Sequence, residues 1–455
     1  MNVRRSLTLL IAAVFLLGVA ALPTQTLAEP LPIIFVHGNG DDAAKWVGII
    51  WLFESNGYPS DKLYSIRFSL PAARTDDTRE EPFRSSTVDA TSELSAFVTR
   101  VLLESHARKV VLVGSSRGGM TIRNYIQNGG GRNNVAIAIL AGTPNHGVNA
   151  SSNNLNGEFN GLGPYLQGLN HADGDGNEVV SGVRFLTLRS DKLDKYAQPT
   201  GIGLGLPQVK TGVTFEGPAL KGASNHVLQN FDHRELAFRP EAFDEMYTFI
   251  VGEKPKTLKV AAVAAPKISG LVTGYQGMAP TNLPLSEVRL RIFVITKEIK
   301  SASSTPVYET VTKQDGRWGP VEIRPDKEYE FDLECEGRHV RYYKAALPRS
   351  SSLINLRFSP VPKMLDSVDA NHEDRNAAGK ILIARPQGYF SSERDPVIIN
   401  GKSVPEEPSG LPLRDSFIAA VASNDTVAVS LREETILVEP SRDLSKVLPI
   451  VDFQW

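Results

Sequence analysis

Cysteine occurs once in these 455 residues, at Cys335, so no disulfide can form within the chain. No neighbouring residue type favours a thiolate there, and Cys335 reads as a buried apolar residue. Neither sign of charge is in excess. Lys plus Arg number 49 against 51 Asp plus Glu, a formal net charge of −2 that leaves no electrostatic footprint for nucleic acid. Long apolar runs are missing beyond the first 22 residues, and no internal repeat is evident. The early run, residues 7–22, follows Arg4 and Arg5 and gives way to Thr26-Leu27-Ala28. This order of charged, apolar and small residues is that of a secretory signal peptide, and the run is short for a membrane span. The expectation is a signal peptide over residues 1–28, cleavage near Ala28, a secreted or periplasmic protein and no transmembrane segment in the mature chain.

The rest divides by texture. Residues 29–253 alternate short apolar runs with helical periodicity, which predicts a mostly parallel sheet with helices on both faces. Strands are expected over residues 33–36, 63–70, 110–113, 135–140 and 183–188. Leu94, Phe97, Val98 and Val101 mark one helix face, and Pro240 opens a helix that Gly252 stops. From residue 254 onward many short β-rich runs are separated by Gly, Pro and Asn, with hairpin-type turns at Asp315-Gly316 and Asn400-Gly401. A β-sandwich over residues 254–361 is expected, followed over 362–455 by a second β domain or a continuation of the first. The dividing point falls at residues 360–363.

The stretch Val110-Val-Leu-Val-Gly-Ser-Ser-Arg-Gly-Gly119 is an apolar β-branched run that breaks into Gly-x-Ser-x-Gly where a helix should begin. A serine hydroxyl is a poor nucleophile unless it is held exposed beside a base, and a sharp strand-to-helix turn holds it so. Ser116 is the expected nucleophile. After the first strand comes His37-Gly38-Asn39-Gly40. The backbone N–H groups of Asn39 and Arg117 are the candidates for stabilising the negative charge that acyl transfer develops. The Arg117 side chain reads as a solvated or salt-bridged surface group, His37 as a fastener of its loop, and Asp41 and Asp42 as loop and cap residues.

A base and an orienting acid should follow in the order Ser, Asp or Glu, His. Past the strand at 183–188 the chain carries Asp191 and Asp194, and Asp191 is favoured because it lies just beyond the strand's carboxyl end. The same rule favours His233 over His226, which sits within the last strand where packing would fix its ring. His146 precedes the acid and is read as structural. His171-Ala-Asp173-Gly-Asp175-Gly-Asn177-Glu178 alternates oxygen ligands but lacks the length of a calcium loop, and it reads as a solvated turn. Residues 149–169, rich in Gly, Asn and Ser, are either a lid or a surface excursion.

His37-Gly38-Asn39, Gly114-Ser115-Ser116-Arg117-Gly118, Ala141-Gly-Thr-Pro-Asn-His-Gly147, the 189–199 loop and Asp232-His233 together resemble secreted lipases of the α/β-hydrolase class. Tyr329-Glu-Phe331, Arg341-Tyr-Tyr343 and Val397-Ile-Ile-Asn-Gly401 are similar to the β lipid-binding region appended to certain bacterial and archaeal lipases. The resemblance implies an α/β hydrolase followed by all-β C-terminal domains. It also implies an exported ester hydrolase acting on acylglycerols through Ser116, Asp191 and His233, with a lipid or other ester partner at an interface and no metal or organic cofactor. A polyester depolymerase or short-chain esterase would share these residues. A non-catalytic surface binding protein on the same scaffold is the alternative of another kind.

Overall fold

The computed structural model describes residues 29–296, 305–359, 377–404 and 407–454. The expected signal peptide and the expected dividing point at 360–363 lie outside the described residues.

The first strands and helices are β1 (Ile33–Val36), α1 (Val47–Ser55), β2 (Leu63–Ile66), α2 (Thr87–Ser105), β3 (Val110–Ser115) and α3 (Arg117–Asn128). They continue with β4 (Val135–Ala141), α4 (Pro164–Leu169), β5 (Arg184–Ser190), β6 (Ser224–Leu228), α5 (Glu235–Phe238) and α6 (Pro240–Val251). All six strands form one parallel sheet in the order β2-β1-β3-β4-β5-β6. Parallel strands are covered on both faces, so β3 is buried at every position and its residues alternate between two cores. Val111 and Val113 face Phe53, Phe238, Phe243 and Met246 of α1, α5 and α6. Val110 and Leu112 face Leu94, Val98, Ile122 and Tyr125 of α2 and α3. Each such side chain contributes about 1.5–3 kcal/mol on full burial. Local signals agree with the packing. Ser86 and Asp89 close a capping box on α2, and α6 ends at Gly252 with φ 87°.

The C-terminal strands are β7 (Lys267–Gln276), β8 (Ala279–Pro284), β9 (Arg289–Val294), β10 (Tyr308–Val311), β11 (Arg317–Glu322), β12 (Tyr329–Cys335), β13 (Arg338–Lys344) and β14 (Leu356–Arg357). After these come β15 (Gly379–Ala384), β16 (Val397–Ile399), β17 (Lys402–Ser403), β18 (Ser416–Val421), β19 (Val427–Leu431), β20 (Glu434–Val438) and β21 (Val447–Asp452). A seven-stranded sheet runs β10-β9-β12-β13-β21-β15-β18, and two four-stranded sheets accompany it. Because β21 pairs in parallel with both β13 and β15, strands from before and after residues 360–376 share one sheet.

Asn400-Gly401 joins β16 to β17 as a two-residue hairpin with φ 47° and 80°, the left-handed pair that a type I′ turn needs. Asp315-Gly316 differs. Its flanking strands pair elsewhere, β10 with β9 and β11 with β7, so that turn carries the chain between sheets. Tyr329, Phe331 and Tyr343 are buried among the β strands rather than presented to solvent. Helix α1 belongs to both halves: Leu52 and Phe53 enter the core against the parallel sheet, while Val47 and Trp51 enter the β core, where Trp51 Nε1 donates to Ser350 O at 2.9 Å. Among the described residues no helix is long and apolar enough to cross a membrane.

Candidate active site

At the junction of β3 and α3 the backbone turns so sharply that Ser116 adopts φ 53°, ψ −121°, a region that non-glycine residues occupy only where surrounding structure holds them. Room for the turn comes from glycine. A Cβ at Gly118 would lie 2.3 Å from Val36 O and 2.7 Å from His37 O, and one at Gly114 would meet Gly119 N at 2.7 Å.

His233 follows β6 at the carboxyl ends of the strands and is buried. Its Nδ1 lies 2.9 Å from Asp194 Oδ1, and both side chains are shielded from solvent. Its Nε2 has no hydrogen-bond partner among the described residues. The ring is held edge-on against Tyr196 at 4.6 Å between centroids. Ser116, His233 and Asn39 line one cavity of about 220 Å³, whose other walls include Pro144, Val148, Phe159, Tyr196, Leu204 and Tyr389. A serine, a histidine with one nitrogen satisfied and one free, and a buried carboxylate are therefore brought to one place.

Asp191, the expected acid, is not brought there. Strand β5 runs through Ser190, whose hydroxyl donates to Phe231 O at 2.6 Å and accepts from Leu193 N at 3.1 Å, folding the chain back. Asp191 is left outside this fold. Its Oδ1 accepts from Lys192 N at 2.7 Å and Asn230 N at 3.3 Å, so it ties two loops together. Asp194 comes round underneath, where Tyr196 N donates to its Oδ1 at 2.8 Å. His226 is also placed otherwise than expected. β6 is the sheet edge, so the imidazole is not fixed by packing but is largely exposed and bonded to Glu245 at 2.8 Å.

The candidate oxyanion donors flank the serine. Arg117 opens α3, where a first-turn N–H has no acceptor within the helix. Asn39 is positioned by its own side chain, whose Oδ1 accepts from Ala73 N at 2.7 Å. Its neighbours Gly40 N and Asp41 N donate to Pro71 O and Gly38 O. His37 is buried, with Nδ1 bonded to Gly38 O and Nε2 accepting from Phe68 N. Burial pushes its pKa below the usual imidazole range, as suits a neutral ring holding two backbone groups. Asp42 caps the turn that follows it. Asp41 has its pKa held at about 2: burial opposes this, but Lys45 and Arg234 outweigh it.

The Arg117 side chain departs from the surface role expected of it. Buried, it grips Glu158 with two bonds of 2.7 and 2.8 Å and also donates to Pro71 O, Ser85 Oγ and Ser85 O. Burial raises the Glu158 pKa against this guanidinium. The 149–169 segment is thereby pinned to the elbow, and Leu166 and Leu169 of α4 pack on Met120. His146 bonds Glu178 and Gly217 O. The Asp173 loop is an exposed turn in which Asp173 Oδ1 accepts from Asp175 N and Asn177 N.

A parallel sheet flanked by helices, with a strained serine elbow and a histidine and acid at the strand ends, defines the class of α/β hydrolases. Residues 30–150 match the family described as lipase (class 2), and residues 265–361 match that described as lipase C-terminal domain. Both matched segments are to lipase families, which supports an ester hydrolase, and the fold is that of an α/β hydrolase with a C-terminal β region. Similar solved structures include Bacillus licheniformis lipase BlEst2 in its mature form, at 21% identity and TM-score 0.34 over 49% of this chain and 91% of that one. The same lipase in its propeptide form matches at 13% identity and TM-score 0.36 over 91% of each chain. Aspergillus fumigatus lipase B matches at 14% identity and TM-score 0.37 over 50% of this chain, and the match spans only 54% of the Aspergillus protein.

Proposed function

We propose that this protein is an exported lipase that hydrolyses acylglycerol esters through an acyl-enzyme on Ser116. Ser116 Oγ attacks the ester carbonyl and passes its proton to His233 Nε2. Asp194 holds the imidazole by its Nδ1 hydrogen and stabilises the imidazolium that forms. The N–H groups of Asn39 and Arg117 receive the oxyanion. His233 then protonates the departing alcohol, and in the second half it takes a proton from the water that cleaves the acyl-enzyme.

The observation that carries this reading is the buried His233, with Nδ1 on Asp194 and a free Nε2 in the cavity that Ser116 lines. Attack on lipid at an interface is supported by the two loops that enclose the cavity. Phe159 and Leu204 reach into it, while Leu155, Leu162, Ile202, Leu206 and Val209 of the same loops are exposed apolar side chains. Export rests on the sequence of residues 1–28.

The test is hydrolysis of p-nitrophenyl esters of graded acyl length and of emulsified triacylglycerol, with labelling by a fluorophosphonate. Label on Ser116, turnover across the series and several orders of magnitude lost in Ser116→Ala are expected. Folded protein inert to every ester, or label on another serine, contradicts the proposal.

A further inference from the structure

The C-terminal strands grip the candidate site on two sides. On the side of the Asn39 loop, Asn282 Nδ2 donates to Asp41 O at 3.0 Å and Asn355 Nδ2 donates to Asp42 Oδ1 at 2.7 Å. On the other side His233 is bracketed by Asp232 and Glu235. These two carboxylates are fully buried and, with Asp395, face the guanidinium groups of Arg385, Arg394 and Arg432 from the segment after residue 376. Arg394 bridges both carboxylates, reaching Glu235 at 3.0 Å and Asp232 at 3.3 Å. Three guanidinium groups outweigh burial and hold the Glu235 pKa at about 2.

Tyr389 completes the junction. Its backbone N–H donates to Asp232 Oδ2 at 2.8 Å, and its ring has Lys195 Nζ at 4.6 Å and the Arg234 guanidinium at 4.8 Å from its centroid. That ring is a wall of the cavity containing Ser116 and His233. A region that only touched lipid at a distance would need none of these contacts.

We propose that residues 385–395 are part of the ester-hydrolysing site: Tyr389 is a specificity-determining wall of the substrate cavity, and Arg394 is a positioning residue that holds the His233 loop through Asp232 and Glu235. The inference rests on the reading of Ser116, His233 and Asp194 as the reacting group. Loss of the Tyr389 ring enlarges the cavity and admits longer chains. Loss of Arg394 removes the one guanidinium that bridges Asp232 and Glu235 beside His233, leaving Glu235 on Arg385 and Arg432 and Asp232 on the Tyr389 N–H, and small displacements of a base are costly in rate.

The experiment uses the full chain and its Tyr389→Ala, Tyr389→Phe, Arg394→Ala and Arg394→Lys variants, with p-nitrophenyl butyrate, p-nitrophenyl octanoate and a fluorophosphonate. Tyr389→Ala is expected to shift the octanoate-to-butyrate ratio of kcat/KM at least about fivefold towards octanoate, and Tyr389→Phe to restore it. Arg394→Ala is expected to lower kcat about tenfold or more and to slow labelling of Ser116 with KM little changed, and Arg394→Lys to recover part of both. If Tyr389→Ala does not fold, Tyr389→Leu removes the ring while leaving a smaller apolar side chain, and a smaller shift of the same ratio towards octanoate is expected. An unchanged ratio overturns the wall, and an unchanged kcat overturns the positioning role. Both conclusions require wild type labelled at Ser116, since an unlabelled wild type means that the reading of the reacting group has failed instead.

Discussion

Asp194 Oδ1 accepts the Nδ1 hydrogen of His233 at 2.9 Å, across 39 residues of sequence, and both partners are buried. The contact fixes the ring's tautomer and leaves Nε2 as the nitrogen available to Ser116.

The elbow glycine can be tested by a single methyl group. Gly118→Ala places a Cβ 2.3 Å from Val36 O, a backbone atom at the carboxyl end of β1. Gly118→Ala should lose several kcal/mol of stability or fail to accumulate as folded protein. Gly168→Ala, where a Cβ meets nothing within 4 Å on helix α4, should be neutral or stabilising by up to about 1 kcal/mol. Thermal melts of the two variants check this, and equal melting temperatures contradict it.

The buried Arg117 and Glu158 pair predicts an asymmetric mutational response. Arg117→Met alone strands a buried carboxylate and should cost about 3–5 kcal/mol. Arg117→Met combined with Glu158→Leu should recover much of that loss. Urea titrations of the two single variants and the double measure it, and strict additivity of the single costs would show that the pair is not coupled.

Glu330 on β12 predicts a pH-dependent stability. Burial raises its pKa from the ordinary 4.5 to about 7, against the Arg341 guanidinium 3.6 Å away. Between those values the folded state binds more protons than the unfolded state, so this contribution is complete below about pH 4.5 and is lost as pH rises through about 7. Glu330→Gln removes the titration. Its stability relative to wild type should improve by about 3 kcal/mol between pH 4.5 and 7.5, and parallel stability curves for the two proteins contradict the assignment.

How far the sequence could be read depends on the range over which each feature is determined. β3, the Gly-x-Ser-x-Gly turn and the start of α3 are local, and the pattern of 110–119 marks all three, with the strand running two residues beyond the expected 110–113. Five of the six parallel strands fall on the expected runs, whereas the edge strand β6, Ser224–Leu228, is mostly exposed and has no apolar run to announce it. The acid was harder, because two aspartates follow β5 within four residues and the choice is made by the Ser190 hydroxyl reaching Phe231 O, 41 residues on. Arg117 looked superficial because its partner, Glu158, lies in a segment without regular pattern. Least legible was the contribution of Tyr389 and Arg394. Charges more than 150 residues apart pair around His233, and no periodicity or spacing announces them.

Whether Ser116, His233 and Asp194 act as one catalytic group is tested most directly by kcat/KM of Asp194→Asn and Asp191→Asn on one soluble ester. Asp194→Asn presents an amide to His233 Nδ1, favours the wrong tautomer and should lose about 10³–10⁴-fold in activity, while Asp191→Asn stays within about tenfold of wild type. The reverse order, an inactive Asp191→Asn beside a fully active Asp194→Asn with both proteins folded, would contradict the account.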